Sequence, residues 1–95
     1  MQNVLLFQEY LRNNRIFSQY NLKRIGVFGS FARGESDSKD IDILIEEDIG
    51  PDKLIELKTL LENSFNKKVD VVIEKFANPI VLHRAQKDLR YATRY

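Results

Sequence analysis

Cysteine and tryptophan are absent from this 95-residue chain, histidine occurs once, proline twice and glycine four times. Without cysteine there is no disulfide, no thiolate zinc site and no cysteine nucleophile. The lone His83 argues against a histidine-built metal centre and against a Ser-His-Asp triad. No apolar run approaches the roughly 20 residues of a membrane-spanning helix, and no signal-peptide pattern opens the chain. Net charge is equally scarce. Fifteen basic and fourteen acidic residues leave +1, so no overall basic field recruits nucleic acid. These absences lead to the expectation of a cytoplasmic protein that holds neither membrane nor nucleic acid directly.

What is present suits a single small domain over residues 1–95. Apolar residues make up 43% and charged residues 31%, the balance of a soluble globular chain. A domain of this length buries roughly 60 to 70% of its unfolded surface, a real but modest core. Apolar spacing through Val4, Leu5, Gln8, Leu11 and Arg12 predicts a helix over 2 to about 20. "RIGVF" (24–28) reads as a short strand, "SFARG" as one tight helical turn, "ESDSK" as a polar loop and "DIDILIEE" (40–47) as a second strand. Pro51 suits a first helical position, and Leu54, Leu57, Leu61 and Phe65 stripe a helix to about Asn66. "KVDVVIE" (68–74) predicts a third strand. Asn78-Pro79 then caps a last helix striped by Leu82, Ala85, Leu89 and Ala92, with His83 as a partly buried packing residue. The class is α/β (α+β): a small mixed sheet with helices packed on one face.

Successive strand side chains point to opposite faces. Ile41, Ile43 and Ile45 therefore share one face of the second strand, and Asp40, Asp42, Leu44 and Glu46 the other. In the third strand Val69, Val71 and Ile73 oppose Asp70, Val72 and Glu74. If the two strands are neighbours in similar register, Asp40, Asp42 and Asp70 converge on one side. Solvent-facing strands do carry charge, and Glu46 and Glu74 are read that way. Three aspartates are harder to dismiss, because Asp is among the poorest strand formers. Carboxylates about 7 Å apart repel by roughly 2 to 3 kcal/mol at an effective dielectric near 20, more than an exposed ion pair returns. A divalent cation reverses the sign. All-oxygen ligands favour Mg²⁺, or Mn²⁺, over zinc or copper.

Mg²⁺ usually sits on one or two carboxylates and completes its shell with water and substrate phosphates. Gly29-Ser30, directly after a strand and separated from Asp40 by nine residues, offers backbone N–H groups and a hydroxyl for such phosphates. It is no P-loop: Gly29 and Gly34 have the spacing, but Glu35-Ser36 stands where Lys-Ser/Thr is required. Nor does Asp40-Ile41-Asp42 open a calcium loop, since Leu44 occupies a ligand position.

With these residues in hand, the chain resembles the minimal nucleotidyltransferases (MNT, MntA-like antitoxins) of the DNA polymerase β superfamily. The resemblance rests on Phe28-Gly29-Ser30, on "GSFARGE" with Ala32, Arg33 and Gly34, on Asp40-Ile41-Asp42-Ile43, and on Asp70 within "KKVDVV". Two departures fall in the loop. It holds nine residues where ten are common, and Lys39 replaces the Ser usual before the first Asp. The resemblance implies a polymerase-β-like palm in which Asp40, Asp42 and Asp70 are catalytic and hold two Mg²⁺ ions. Gly29 and Ser30, with Arg33 assisting, would grip the β/γ-phosphates of ATP. It also implies AMP transfer to a tyrosine of a partner HEPN toxin, silencing it in a type VII-like toxin–antitoxin pair. The short chain leaves no room for an acceptor-holding domain, so the acceptor must present itself. The toxin's own signature, Arg followed after four to six residues by His, is missing. The rival readings are a masking module that neutralises the partner without chemistry and a nucleic-acid-binding domain, the latter disfavoured by the charge. The basic, aromatic ending "KDLRYATRY" reads as a frayed helix or a partner surface.

Overall fold

Glycine and asparagine set the chain's corners, and the computed structural model, which describes residues 4–35 and 37–95, follows them closely. Residues 2 and 3 of the expected first helix and Ser36 of the polar loop lie outside the described residues. The elements in chain order are α1 (Val4–Asn13), α2 (Ile16–Gln19), β1 (Arg24–Phe28), α3 (Gly29–Ala32) and β2 (Asp40–Ile45). They continue with α4 (Pro51–Phe65), β3 (Lys68–Ile73), a three-ten turn (Glu74–Phe76), α5 (Pro79–Ala85) and β4 (Arg90–Thr93). The sheet order is β3-β2-β1-β4. β2 and β3 run parallel through the α4 crossover, whereas β1 pairs antiparallel with both β2 and β4.

Three expectations need correction. The first helix does not run to residue 20: Arg15 adopts a left-handed φ of 56° and divides it into α1 and α2. Its inner face is Phe7 and Leu11, while Leu5 is 70% exposed. The last helix stops at Ala85, and Arg90–Thr93 forms the edge strand β4 instead of a frayed end. Tyr and Thr favour strands, and Ala92, paired opposite Ile25, buries against the core as a strand residue. The apparent helical stripe through Leu89 and Ala92 was therefore coincidence of spacing. His83 is exposed on α5, not partly buried.

The helices were expected on the Ile/Val face, and the core lies there. Ile41, Ile43, Ile45 and Val69 are fully buried with Phe7 and Leu11 of α1, Ile16 and Phe17 of α2, and Leu57 and Leu61 of α4. Phe31 anchors α3 to this core edge-on to Phe7, with ring centroids 5.9 Å apart. The opposite face is partly closed by the chain beyond α5. A methyl group on Gly26 would stand 2.7 Å from Leu89 Cδ1, so glycine admits Leu89 over β1 beside Leu44. The expected caps are present: Pro51 opens α4, and the Asn78 side chain accepts from Ile80 N at 2.8 Å. Asn66, at a φ of 53°, ends α4 in the left-handed conformation.

Candidate functional site

Parallel pairing of β2 with β3 decides where the acids fall. The register sets Asp42 opposite Asp70 and Asp40 opposite Lys68, all on the face away from the main core. Asp42 and Asp70 are half-buried, whereas Asp40, one step nearer the strand's start, is exposed. The Asp42 carboxyl is pushed above the usual range. Burial is the largest cause, followed by the charge of Asp70, the charge of Asp40 and hydrogen bonding to Asp70. The like-charge repulsion anticipated from the pattern is thus present and centres on Asp42.

Phe28 pairs with Asp42 across the antiparallel ladder, so the first residue after β1 is delivered beside that carboxylate. Gly29 takes a φ of +74°, and a Cβ there would lie 2.5 Å from Asp42 Oδ2. Two constraints therefore require glycine at one position: left-handed backbone and the close approach of a carboxylate. The close approach was expected to serve a ligand; here it first admits Asp42. Ser30 follows in the same helical turn, its Oγ 3.0 Å from Ser38 Oγ.

Arg33 is turned toward protein acids. Its Nε donates to Glu35 Oε2 at 2.6 Å and its Nη1 to Asp88 Oδ2 at 2.8 Å. Both carboxylates hold its charge, and Asp88 ties the α3 turn to the loop before β4. Glu46 is not merely solvated. Arg24 donates to it bidentately at 3.1 and 3.0 Å, holds its pKa low and stacks over Tyr91 at 3.7 Å from the ring centroid. Glu74 is exposed in the three-ten turn. In the basic ending, Arg94 donates to Ser18 Oγ at 2.8 Å, and Tyr95 is almost fully exposed.

Ser38 and Asp88 were not among the residues that sequence reasoning selected. Ser38 sits in a stretch that reads only as a polar loop, and its burial follows from the fold of that loop. The partner of Arg33 lies 55 positions away, beyond any local pattern. An apolar cleft of about 360 Å³ lined by Leu54, Val72, Phe76 and Val81 follows the outer edge of β3 and includes none of the three acids. Concavity therefore does not select the site; charge and register do.

Does this donor set suit a cation? Among the described residues no three His, Cys, Asp or Glu side chains are drawn together in an arrangement that could hold an ion. Mg²⁺ does not need three, since it binds through one or two carboxylates plus water and phosphate. Asp42 and Asp70 supply two facing carboxylates, one of them destabilised as an anion by its neighbours. An oxygen-only pair of this kind fits Mg²⁺ or Mn²⁺.

A mixed sheet with paired aspartates on its second strand, an acid in register on the third and a Gly-Ser turn at their side defines a nucleotidyltransferase class of fold. The chain belongs to the polymerase β nucleotidyltransferase family: residues 12–90 match the family described as "Polymerase beta, Nucleotidyltransferase". It is 37% identical over 97 residues to a Methanocaldococcus jannaschii protein named protein adenylyltransferase MJ0126, covering 96% of this chain and 99% of that one. A crystal structure of the toxin–antitoxin pair MntA–HpeT superposes with a TM-score of 0.69 at 25% identity, covering 96% of this chain and 72% of that one. An MNT antitoxin from a complex with tri-AMPylated Shewanella oneidensis HEPN toxin gives a TM-score of 0.60 at 23% identity, over 90% of this chain and 71% of that one. At that identity the last likeness is one of fold.

Proposed function

We propose that this nucleotidyltransferase moves AMP from ATP to a tyrosine hydroxyl of a HEPN-domain toxin, in a Mg²⁺-dependent reaction, and so acts as that toxin's antitoxin. The observation that carries the reading is the Asp42–Asp70 register with Gly29 packed directly against the Asp42 carboxylate, which sets the Gly-Ser turn beside the paired acids. The relative named as an adenylyltransferase and the MntA–HpeT toxin–antitoxin neighbour support the choice of nucleotide and partner.

Asp40 and Asp42 would hold two Mg²⁺ ions, with Asp70 completing the second position. Gly29 and Ser30 would grip the β/γ-phosphates. Arg33, engaged by Glu35 and Asp88, would steady the turn that does so. When bound, the ions neutralise the triphosphate and the departing pyrophosphate. The acceptor oxygen forms the new bond to the α-phosphorus as the bond to the bridging oxygen of pyrophosphate breaks. Asp70 accepts the proton of the acceptor hydroxyl as the new bond forms.

Thermal unfolding tests the site. ATP with Mg²⁺ raises the melting temperature of the wild type, and Asp40→Asn combined with Asp42→Asn abolishes the rise while the fold persists. An undiminished rise in the double variant would remove the acids from the site.

A further inference from the structure

Ser38 is buried, 6% exposed, in a loop whose described neighbours are largely exposed. Every polar atom it carries is engaged. Its N–H donates to Glu35 O at 3.2 Å, and its carbonyl accepts from Lys67 Nζ, which arrives from the turn between α4 and β3. Its Oγ donates to Asp40 O at 2.9 Å and lies 3.0 Å from Ser30 Oγ. A serine has one hydroxyl proton. Asp40 O can only accept, so that proton belongs to the Ser38–Asp40 bond, and Ser30 donates in the contact between the two hydroxyls.

We propose that Ser38 is a positioning residue for the transfer reaction: one hydroxyl fixes both Ser30 Oγ and the first residue of β2. The inference rests on the reading of Ser30 and Asp40 as phosphate and metal residues. The phosphate turn and the carboxylate strand come from different elements, and α3 is only four residues long, too short to hold its own geometry. Phe31 pins its inner side. On the outer side the Ser30–Ser38–Asp40 chain sets how far the gripping oxygen stands from the acids, and Lys67 clamps the loop that carries Ser38. When Ser30 turns its proton toward a phosphate oxygen, the Ser38 proton can swing from Asp40 O to Ser30 Oγ, so the contact between the two hydroxyls persists with its direction reversed.

Calorimetric titration with AMP-PNP and Mg²⁺ tests this on the full chain. Ser38→Ala weakens binding by about two- to tenfold, the range of one neutral hydrogen bond. Ser38→Thr, which keeps the hydroxyl, binds more tightly than its near-isostere Ser38→Val, and this pair supplies the readout if the alanine variant does not fold. In a Ser30→Ala background, Ser38→Ala costs less than in the wild type, because only its bond to Asp40 O remains to be lost. Independent, multiplicative losses, or a lowered melting temperature with unchanged nucleotide affinity, would reduce Ser38 to a structural residue and overturn the proposal. If neither Ser30→Ala nor Asp42→Asn weakens binding, the site reading itself falls and takes this proposal with it.

Discussion

Asp42 and Asp70 stand in the same register of the parallel β2–β3 ladder, two carboxylates on one face of the sheet. Burial of the Asp42 carboxyl, and after it the charge of Asp70, costs the metal-free protein stability. The Asp42 pKa is raised in the folded state, so the native protein binds its proton more tightly than the unfolded chain does. The penalty is absent below the unfolded value of about 3.9, grows as pH rises through the folded value, and is complete above it. Asp42→Asn therefore stabilises the metal-free protein at pH 7. Melting curves from pH 3 to 8 check this: the gap between variant and wild type closes at the acid end.

Gly29 and Gly34 form a matched pair for separating backbone strain from loss of the site. Both have left-handed φ, +74° and +75°, but a Cβ meets Asp42 Oδ2 at 2.5 Å only at Gly29, and nothing within 4 Å at Gly34. Gly34→Ala costs the strain alone, roughly 1 to 2 kcal/mol, and keeps nucleotide affinity. Gly29→Ala adds displacement of the Asp42 carboxylate and loses affinity as well. Denaturant titration beside AMP-PNP binding separates the two effects. Equal affinities would make the Gly29 turn merely structural.

Tyr20 supplies a test of the core. Its ring is buried and, among the described residues, no acceptor meets the hydroxyl in hydrogen-bonding geometry; burial followed by nearby Glu56 pushes the phenol up to about 12. Removing an unsatisfied buried hydroxyl relieves a desolvation cost. Tyr20→Phe is accordingly neutral or stabilising by up to about 1 kcal/mol in a reversible unfolding experiment. A loss of that size would mean Glu56 holds the hydroxyl in solution.

Much of this arrangement was legible before the fold was known, because alternation is a local property. The faces of β2 and β3, and hence the company of Asp40, Asp42 and Asp70, followed from counting by two. Leu57 and Leu61 likewise marked the inner side of α4. What failed was set at longer range. Arg90–Thr93 is a strand because β1 offers it an edge, and the Leu82–Ala92 spacing carried no sign of that edge. The break at Arg15 requires a left-handed residue that the sequence did not advertise with glycine. Ser38 owes its burial to Ser30, Asp40 and Lys67 meeting around it, and the Asp88 partner of Arg33 comes from 55 positions away.

The most direct measurement is intact-mass spectrometry of a HEPN-domain partner after incubation with this protein, ATP and Mg²⁺. The account predicts a partner heavier by one or more adenylates, located on a tyrosine by peptide fragmentation, with Asp70→Asn cutting the transfer severely while leaving much of the ATP binding in place. An unmodified partner that is nevertheless inhibited in a stable complex would contradict it and make this chain a masking module.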